Sequence, residues 1–199
     1  MTFYNGVRNF VAFFVKILFV IEVKGLENIP KEGPIILAAN HKSNLDPVII
    51  AVAVKTRDIS AIAKKELFSF KPFGYFLKKI NVIPINRDNP DISTLKTVIK
   101  QLKEGRAIGI FPEGRRYTGP DGCGKAKSGL AMFAIKGKAP VVPISIISNY
   151  KLFNKIIVYI DKPVSFEEYY KEKLVNEDYD RLSNEIMSII KKNIFKNRF

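Results

Sequence analysis

Short apolar segments alternate with longer helical segments along most of this chain, and that alternation limits the folds open to it. Three apolar segments, Pro34–Ala39, Ala107–Phe111 and Val141–Ile147, lack the polar–apolar alternation of a half-exposed strand. Strands of this kind are buried on both faces, as in parallel sheets that are covered by helices on both sides. The sequence therefore predicts an α/β fold with a largely parallel central sheet flanked by helices.

The remaining segments fit the same pattern. Further strands are predicted at Val23–Leu26, Ser60–Ala63, Val82–Ile85 and Ile156–Ile160. Helices are predicted at Pro47–Val54, Glu66–Ile80 with a break around Pro72, Ile92–Lys103, Ser128–Lys136 and Tyr179–Ile194. We expect Gly105 and Gly137 to end the helices that precede them, because glycine adopts the left-handed conformation found at helix ends. With no repeat or linker, residues 22–199 are predicted to form one domain.

Residues 1–21 are dense in phenylalanine and aliphatic side chains, interrupted by Arg8 and Lys16. A single membrane-spanning helix needs about 20 mostly apolar residues, which this segment does not supply without interruption. No small-residue cleavage site follows it, as a removable signal peptide would require. We expect an apolar helix in the membrane interface, with its two basic side chains reaching the headgroups. The alternative is a helix that packs on the protein's own core.

The charge balance indicates an anionic partner. Lysine and arginine number 33 against 19 aspartate and glutamate, a formal charge of +14, which suits either nucleic acid or an anionic membrane surface. We expect no nucleic-acid partner, because the chain has no zinc signature, arginine-rich helix or aromatic RNA-stacking motif. One cysteine, Cys123, excludes an internal disulfide, and one cysteine with one histidine does not suit a structural zinc site.

The only histidine, His41, follows the first buried strand, in the loop Asn40–Asp46. Ligands of parallel α/β sheets bind outside the carboxyl ends of the strands, so this loop is a candidate site. Histidine exchanges a proton near neutral pH, and Asp46 could fold back to orient the ring, as in a catalytic triad whose nucleophile is a substrate hydroxyl. Two simpler interpretations stay open: a surface histidine, and an aspartate that caps the helix beginning at Pro47.

A second loop, Phe111–Arg116, follows another buried strand. Arg115 could bind phosphate through paired hydrogen bonds, with Glu113 orienting it or contacting a glycerol hydroxyl. The alternative is a turn with a solvated ion pair. Arg87 ends a third short strand, and two arginines at neighbouring strand ends would form a phosphate pocket.

Taken together, these segments resemble the glycerolipid acyltransferase family, and most closely its 1-acyl-sn-glycerol-3-phosphate (lysophosphatidic acid) acyltransferases. The family's four sequence blocks occur in order: Asn40-His41 with Asp46, a strand ending in Arg87, Phe111-Pro112-Glu113-Gly114-Arg115, and the apolar strand with Val141-Val142-Pro143-Ile144. The resemblance covers about residues 22 to 165. Each block is weak alone, but the ordered set is specific, and it implies a glycerol-3-phosphate acyltransferase-like fold.

The resemblance also implies roles for individual residues. His41 would be the general base that deprotonates the acceptor hydroxyl, and Asp46 its partner. The acceptor's phosphate and glycerol would bind at Arg87, Glu113, Gly114 and Arg115, with Gly114 allowing close backbone approach, and the acyl chain would lie near Val142 and Pro143. Two candidates stay open as donors to the oxyanion, namely the amides of Asn40–Ser43 and a basic side chain.

The implied activity is transfer of a fatty acyl group from acyl-CoA or acyl-carrier protein to the sn-2 hydroxyl of lysophosphatidic acid, which gives phosphatidic acid for phospholipid biosynthesis. No metal or organic cofactor is expected. The alternatives are glycerol 3-phosphate or another lyso-lipid as acceptor and, from a different class, a basic nucleic-acid-binding protein. We expect the protein at the cytoplasmic face of the cell membrane, held there as a peripheral or monotopic protein by anionic lipids.

Overall fold

The structure is a computed structural model that describes residues 2–86 and 92–197. Its strands are β1 Val20–Lys24, β2 Ile35–Ala39, β3 Ile59–Lys64, β4 Ile83–Ile85, β5 Ala107–Ile110, β6 Val141–Ile147 and β7 Lys155–Ile160. Its α-helices are α1 Phe3–Leu18, α2 Asp46–Ala53, α3 Lys71–Lys79, α4 Ile92–Lys103, α5 Gly129–Gly137 and α6 Asn176–Lys196.

The seven strands form one sheet in the order β1-β7-β6-β2-β5-β3-β4. The five strands from β6 to β4 are parallel to one another, β7 is antiparallel to β6, and β1 is parallel to β7. The predicted α/β fold with a largely parallel sheet is confirmed. Strands β2, β5, β3 and β6 end at one edge of the sheet, so the loops that follow them lie together.

Successive side chains of the central strand β2 point to opposite faces, and each face is covered by helices. Ile36 and Ala38 belong to an apolar cluster with α4, α5 and α6. Ile35, Leu37 and Ala39 belong to a second cluster with α1 and α2. Because both faces are covered, every β2 side chain is fully buried, which explains why this segment is apolar throughout.

Helix α1 ends at Leu18, three residues before the expected boundary at residue 21. Val20 and Ile21 instead pair with Lys155 and Ile156 of β7, so the first strand begins earlier than the predicted Val23. The helix buries Tyr4 and Val15 and exposes its other face, where Phe10 is 68% and Phe13 is 62% accessible. Among the described residues, no helix combines the length and apolarity that a membrane crossing requires.

The two glycines predicted to end helices occupy different positions in the structure. Gly105 follows α4 with φ of 77°, as expected for a glycine after a helix. Gly137 is instead the last residue of α5, and the left-handed residue is Lys138, with φ of 49°. A Cβ at position 137 would lie 2.4 Å from Leu102 Cδ1, so this glycine allows α5 to pack closely on α4.

Candidate active site

His41 and Asp46 contact each other at the carboxyl end of β2. His41 Nδ1 lies 2.8 Å from Asp46 Oδ2, and both side chains are buried. An ionised carboxylate can only accept hydrogen bonds, so the proton of the neutral ring lies on Nδ1. The second ring nitrogen, Nε2, is then the basic atom of the pair.

Asp46 is the first residue of α2, and its carboxylate does not cap that helix. The N-cap position is Leu45, and Asp46 Oδ2 accepts hydrogen bonds from the backbone N–H groups of Lys42, at 2.6 Å, and Ser43, at 2.7 Å. These bonds fold the loop back onto the start of the helix and hold His41 against the carboxylate. They also occupy two of the amides expected as oxyanion donors, which favours a basic side chain for that role.

The loops after β2 and β5 are joined by direct contacts. The ring of Phe111 stacks on His41, with centroids 4.2 Å apart and planes 23° from parallel. Tyr117 N–H donates to the His41 carbonyl at 2.7 Å. The buried side chain of Asn40 bonds the backbone of Ile146 in β6 in both directions, at 2.8 and 3.0 Å. The structure thus brings the first and third sequence blocks together at the end of the fourth.

Glu113 points into the protein rather than toward Arg115. Its Oε1 accepts from Gly124 N–H at 3.0 Å, while its buried Oε2 has no hydrogen-bond partner among the described residues. The pKa of Glu113 is raised from 4.5 to about 7, chiefly by burial and to a smaller extent by the charge of Asp46, while the backbone N–H groups of Gly124 and His41 lower it. The carboxyl links the loop after β5 to the segment around Gly124.

The structure shows fewer contacts for the two arginines expected at the phosphate site than for the His41–Asp46 pair. Arg115 is exposed and makes no ion pair with another described residue, and Arg87 lies outside the described residues. Gly114 has φ of 69°, and a Cβ there would lie 3.1 Å from Lys127 Cε. The positive φ of this turn favours glycine at position 114, and the neighbouring Lys127 is a cation that the sequence interpretation did not single out.

Two cavities near this region share Phe111 as a lining residue. One of about 370 Å³ is almost wholly apolar and lies between α1, α2 and α3. The other, of about 300 Å³, is bordered by Pro112, Gly114, Lys127 and the start of α5. Because His41 stacks on Phe111, the imidazole lies beside the residue that the two cavities share.

Val142 and Pro143 line neither of these two cavities. Both are fully covered within β6, and Val142 packs in the cluster beneath α1 and α2. Their expected position on the acyl-binding side stays a prediction: in the structure they lie within the sheet, while side chains from α1, α2 and α3 line the apolar cavity.

Tyr150, in the turn between β6 and β7, was not identified from the sequence. Its hydroxyl donates a hydrogen bond to Asp46 Oδ1. Burial, and then the charge of Asp46, raise the pKa of the Tyr150 phenol, so the hydroxyl keeps its proton. No local pattern points to this residue, since it lies 104 positions from its partner.

Potential metal ligands are scarce near the site. In the part of the chain that the structure describes, no three histidine, cysteine, aspartate or glutamate side chains lie close enough together to hold a metal ion. The pair His41–Asp46 is engaged within itself, and Cys123, which precedes Gly124, is buried.

Comparison with known proteins identifies the family of the chain. A family model described as Acyltransferase matches residues 20–147, which contain His41, Asp46 and the Phe111–Arg115 loop. The chain belongs to the acyltransferase family. The predicted resemblance is confirmed at this level.

Individual acyltransferases of the family are also similar to the chain. It is 42% identical over 123 residues to the 1-acyl-sn-glycerol-3-phosphate acyltransferase of Bacillus subtilis strain 168. The aligned residues make up 62% of this chain and 60% of that protein. It is 31% identical over 191 residues to the probable 1-acyl-sn-glycerol-3-phosphate acyltransferase of Mycoplasma genitalium, covering 81% and 66%. The chain thus spans about three fifths of the length of the Bacillus relative.

The crystal structure of PlsC from Thermotoga maritima, described as a 1-acyl-sn-glycerophosphate (LPA) acyltransferase, superposes with a TM-score of 0.74. The two sequences are 24% identical, and the match covers 98% of this chain and 81% of that one. At this identity the similarity supports the fold, and it includes the sheet and helices described above.

Proposed function

We propose that this acyltransferase transfers a fatty acyl group from a thioester to the sn-2 hydroxyl of 1-acyl-sn-glycerol 3-phosphate. The observation that carries the proposal is the buried His41–Asp46 pair, in which Nδ1 is bound to the carboxylate and Nε2 is left as a base. The names of the Bacillus and Mycoplasma relatives support this choice of acceptor over glycerol 3-phosphate.

The proposed chemistry is general base catalysis of acyl transfer. Nε2 of His41 takes the proton of the acceptor hydroxyl as its oxygen attacks the thioester carbonyl. Asp46 stabilises the resulting imidazolium. Collapse of the tetrahedral intermediate forms the ester C–O bond and breaks the C–S bond, and the imidazolium gives its proton to the departing thiolate. The acyl-CoA or acyl-carrier protein that supplies the thioester is a further part of the proposal.

We place the acceptor's phosphate in the cavity beside Gly114. Lys127 lines this cavity, and Arg115 follows Gly114 in the chain. The first residues of α5 also border it, and the positive end of a helix dipole favours an anion. Arg87 follows β4, whose Ile85 lines the same cavity, so it remains a candidate ligand of the phosphate.

We place an acyl chain in the apolar cavity. Its walls come from α1, α2 and α3, and Phe111 brings it next to His41. An apolar cavity binds hydrocarbon by removing apolar surface from water, at about 25 cal/mol per Å². A chain lying here would leave its carbonyl end near the imidazole, where the ester must form.

We also propose that this edge of the sheet faces an anionic membrane at the cytoplasmic side of the cell. Large exposed apolar side chains occur on α1, at the start of α3 and in the turn between β6 and β7; they include Phe10, Phe13, Phe14, Ile17, Phe70, Phe73, Leu152 and Phe153. The turn contacts the end of α1, because Phe153 N–H donates to the Leu18 carbonyl at 2.7 Å. Such an exposed apolar surface in a basic protein fits a peripheral or monotopic contact with lipid.

The direct test is an acyl-transfer assay of the purified protein with lysophosphatidic acid and a thioester donor. We expect His41→Ala to lower kcat by at least about 10²- to 10⁴-fold, the usual contribution of a general base. Asp46→Asn should also lower kcat strongly, because the introduced side-chain amide could present an N–H to Nδ1 and favour the wrong tautomer. The matched control is Asp58→Asn, which changes an exposed aspartate in the segment between α2 and β3 and should retain activity.

The acceptor can be tested in the same assay. Lysophosphatidic acid should be used much better than a monoacylglycerol, which lacks the phosphate, and better than glycerol 3-phosphate, which lacks the acyl chain. Near-wild-type turnover by folded His41→Ala protein would refute the proposed chemistry. Equal use of the monoacylglycerol would refute the phosphate site.

A further inference from the structure

The Asp46 carboxylate is bound through both of its oxygens. Oδ2 faces the imidazole and the two loop amides, and Oδ1 accepts from the hydroxyl of Tyr150. The side chain of Asp46 is wholly inaccessible to solvent, so water does not replace any of these donors. Tyr150 is the one donor to this carboxylate, among the described residues, that does not come from the loop of His41 itself.

Tyr150 is held in place by elements remote from that loop. Its backbone has φ of 56°, in the left-handed region, and its N–H donates to Ser148 Oγ at 2.9 Å. Its ring packs edge-on against Phe19, with centroids 6.5 Å apart. The turn is tied to α1 by the bond from Phe153 N–H to Leu18. The hydroxyl is therefore fixed from the β6–β7 turn and from the end of α1.

We propose that Tyr150 is a positioning residue for the His41–Asp46 pair, an inference that rests on the proposed acyl transfer. A carboxylate bound only on one side can rotate about its Cβ–Cγ bond. The Tyr150 hydrogen bond removes that freedom and keeps Oδ2 directed at Nδ1, which keeps Nε2 aimed at the acceptor. A buried oxygen with no donor would also be unfavourable, so Oδ1 would otherwise turn toward another partner.

The test is Tyr150→Phe, which keeps the ring against Phe19 and removes only the hydroxyl. We expect kcat to fall about tenfold with little change in KM for either substrate, because orientation acts on the transition state and not on substrate binding. Tyr159→Phe is the matched control: Tyr159 lies on β7, between Val158 and Ile160, whose side chains face α1 and α2, so its own ring faces the opposite side of the sheet from Asp46. That variant should retain wild-type kcat.

A second measurement does not depend on activity. The chain has one histidine, so the low-field proton NMR signal of its Nδ1–H is assigned without ambiguity. In Tyr150→Phe we expect this signal to move or to be lost through exchange with water, and in Tyr159→Phe to stay in place. An unchanged kcat, or an unchanged signal, in folded Tyr150→Phe protein would overturn the inference. If wild-type protein transferred no acyl group but the signal still changed, the positioning contact would stand and the proposed function would fail.

Discussion

At the residue scale, the His41–Asp46 pair shows how a short spacing can form a site. Three of the four donors to Asp46 come from residues 41–43, within five positions of the carboxylate. The loop therefore forms most of its own hydrogen bonds, and the buried charge is compensated locally. Only the rotation of the carboxylate depends on a residue from elsewhere in the chain.

Glu113 has the opposite character, because its buried carboxyl is only partly satisfied. Oε1 has a donor and Oε2 has none among the described residues, which makes the charged form unfavourable. Its pKa in the folded protein, about 7, exceeds the usual 4.5, so the folded state binds more protons than the unfolded state between these two values. The contribution of Glu113 to stability must then decrease as pH rises through this window and level off above it.

We therefore predict that Glu113→Gln is stabilised relative to wild type at high pH only. Glutamine keeps the acceptor for Gly124 N–H and cannot ionise, so the gain should be near zero at pH below the usual 4.5 and about 1–3 kcal/mol above the raised value of about 7. Urea unfolding at both pH values measures it. Glu104→Gln, which changes an exposed carboxylate 3.4 Å from Arg106, should stay within about 0.5 kcal/mol at both. The same gain at both pH values would contradict the prediction.

At the element scale, α1 has two different faces. Tyr4 and Val15 are buried against the body of the protein, and Arg8 donates to the Lys55 carbonyl at 3.2 Å. Phe10 and Phe13 lie on the exposed face and contact Phe14 edge-on. The two alternatives from the sequence are thus not exclusive, since one face of the helix packs on the core and the other is exposed.

We predict that Phe10→Ser weakens binding to vesicles by about 5- to 30-fold. Full burial of a phenylalanine is worth about 1.5–3 kcal/mol, and partial insertion would contribute about 1–2 kcal/mol of this. Cosedimentation with vesicles measures the affinity. Phe195→Ser is the control, because Phe195 is also an exposed phenylalanine but lies on α6, across the sheet from α1. Equal losses in the two variants would remove α1 from the membrane contact.

At the scale of the whole molecule, the direction of the strands gathers the functional parts at one edge. The parallel strands β2, β5, β3 and β6 all end there, with the loops of His41 and Glu113. Strands β7 and β1 run the other way and so begin there, which brings the Tyr150 turn and the end of α1 to the same place. Site, cavities and exposed aromatic side chains are neighbours for this reason.

The net charge of +14 belongs to the same scale, because its basic residues are spread along the whole chain. Each basic residue near an anionic membrane contributes about 1 kcal/mol, and salt screens this attraction. We predict stronger cosedimentation with vesicles containing phosphatidylserine than with neutral vesicles. That preference should largely disappear between about 0.1 M and about 1 M salt, as the Debye length falls from about 10 to about 3 Å. A preference that salt does not change would contradict the electrostatic part of the proposal.

Much of the fold and part of the candidate site could be predicted from local sequence. Continuous apolar segments such as Ile35–Ala39 require cover on both faces, which implies the layered α/β fold. His41 and Asp46 are close enough in the chain for a single turn to join them. Strand ends were less predictable, as at Val20, because pairing with β7 outweighed the local helical pattern.

Other features of the site depended on chain segments that meet only in the folded protein. Valine suits both the lining of a cavity and the packed core, so the residue type at position 142 could not distinguish these two positions. Glu113 has the chemistry of a surface residue, and its burial follows from the segment around Gly124. Phe111 could be placed at the end of a strand from the sequence, but not between two cavities.

Local patterns in the chain were enough to specify the layered sheet and the base with its carboxylate, because strand periodicity and a five-residue loop act over short distances. The folded arrangement was needed to establish which cavities border His41, which side chains line them and that Tyr150 reaches Asp46. Those contacts join segments more than 100 residues apart, and their geometry depends on the order and direction of strands that no local pattern specifies.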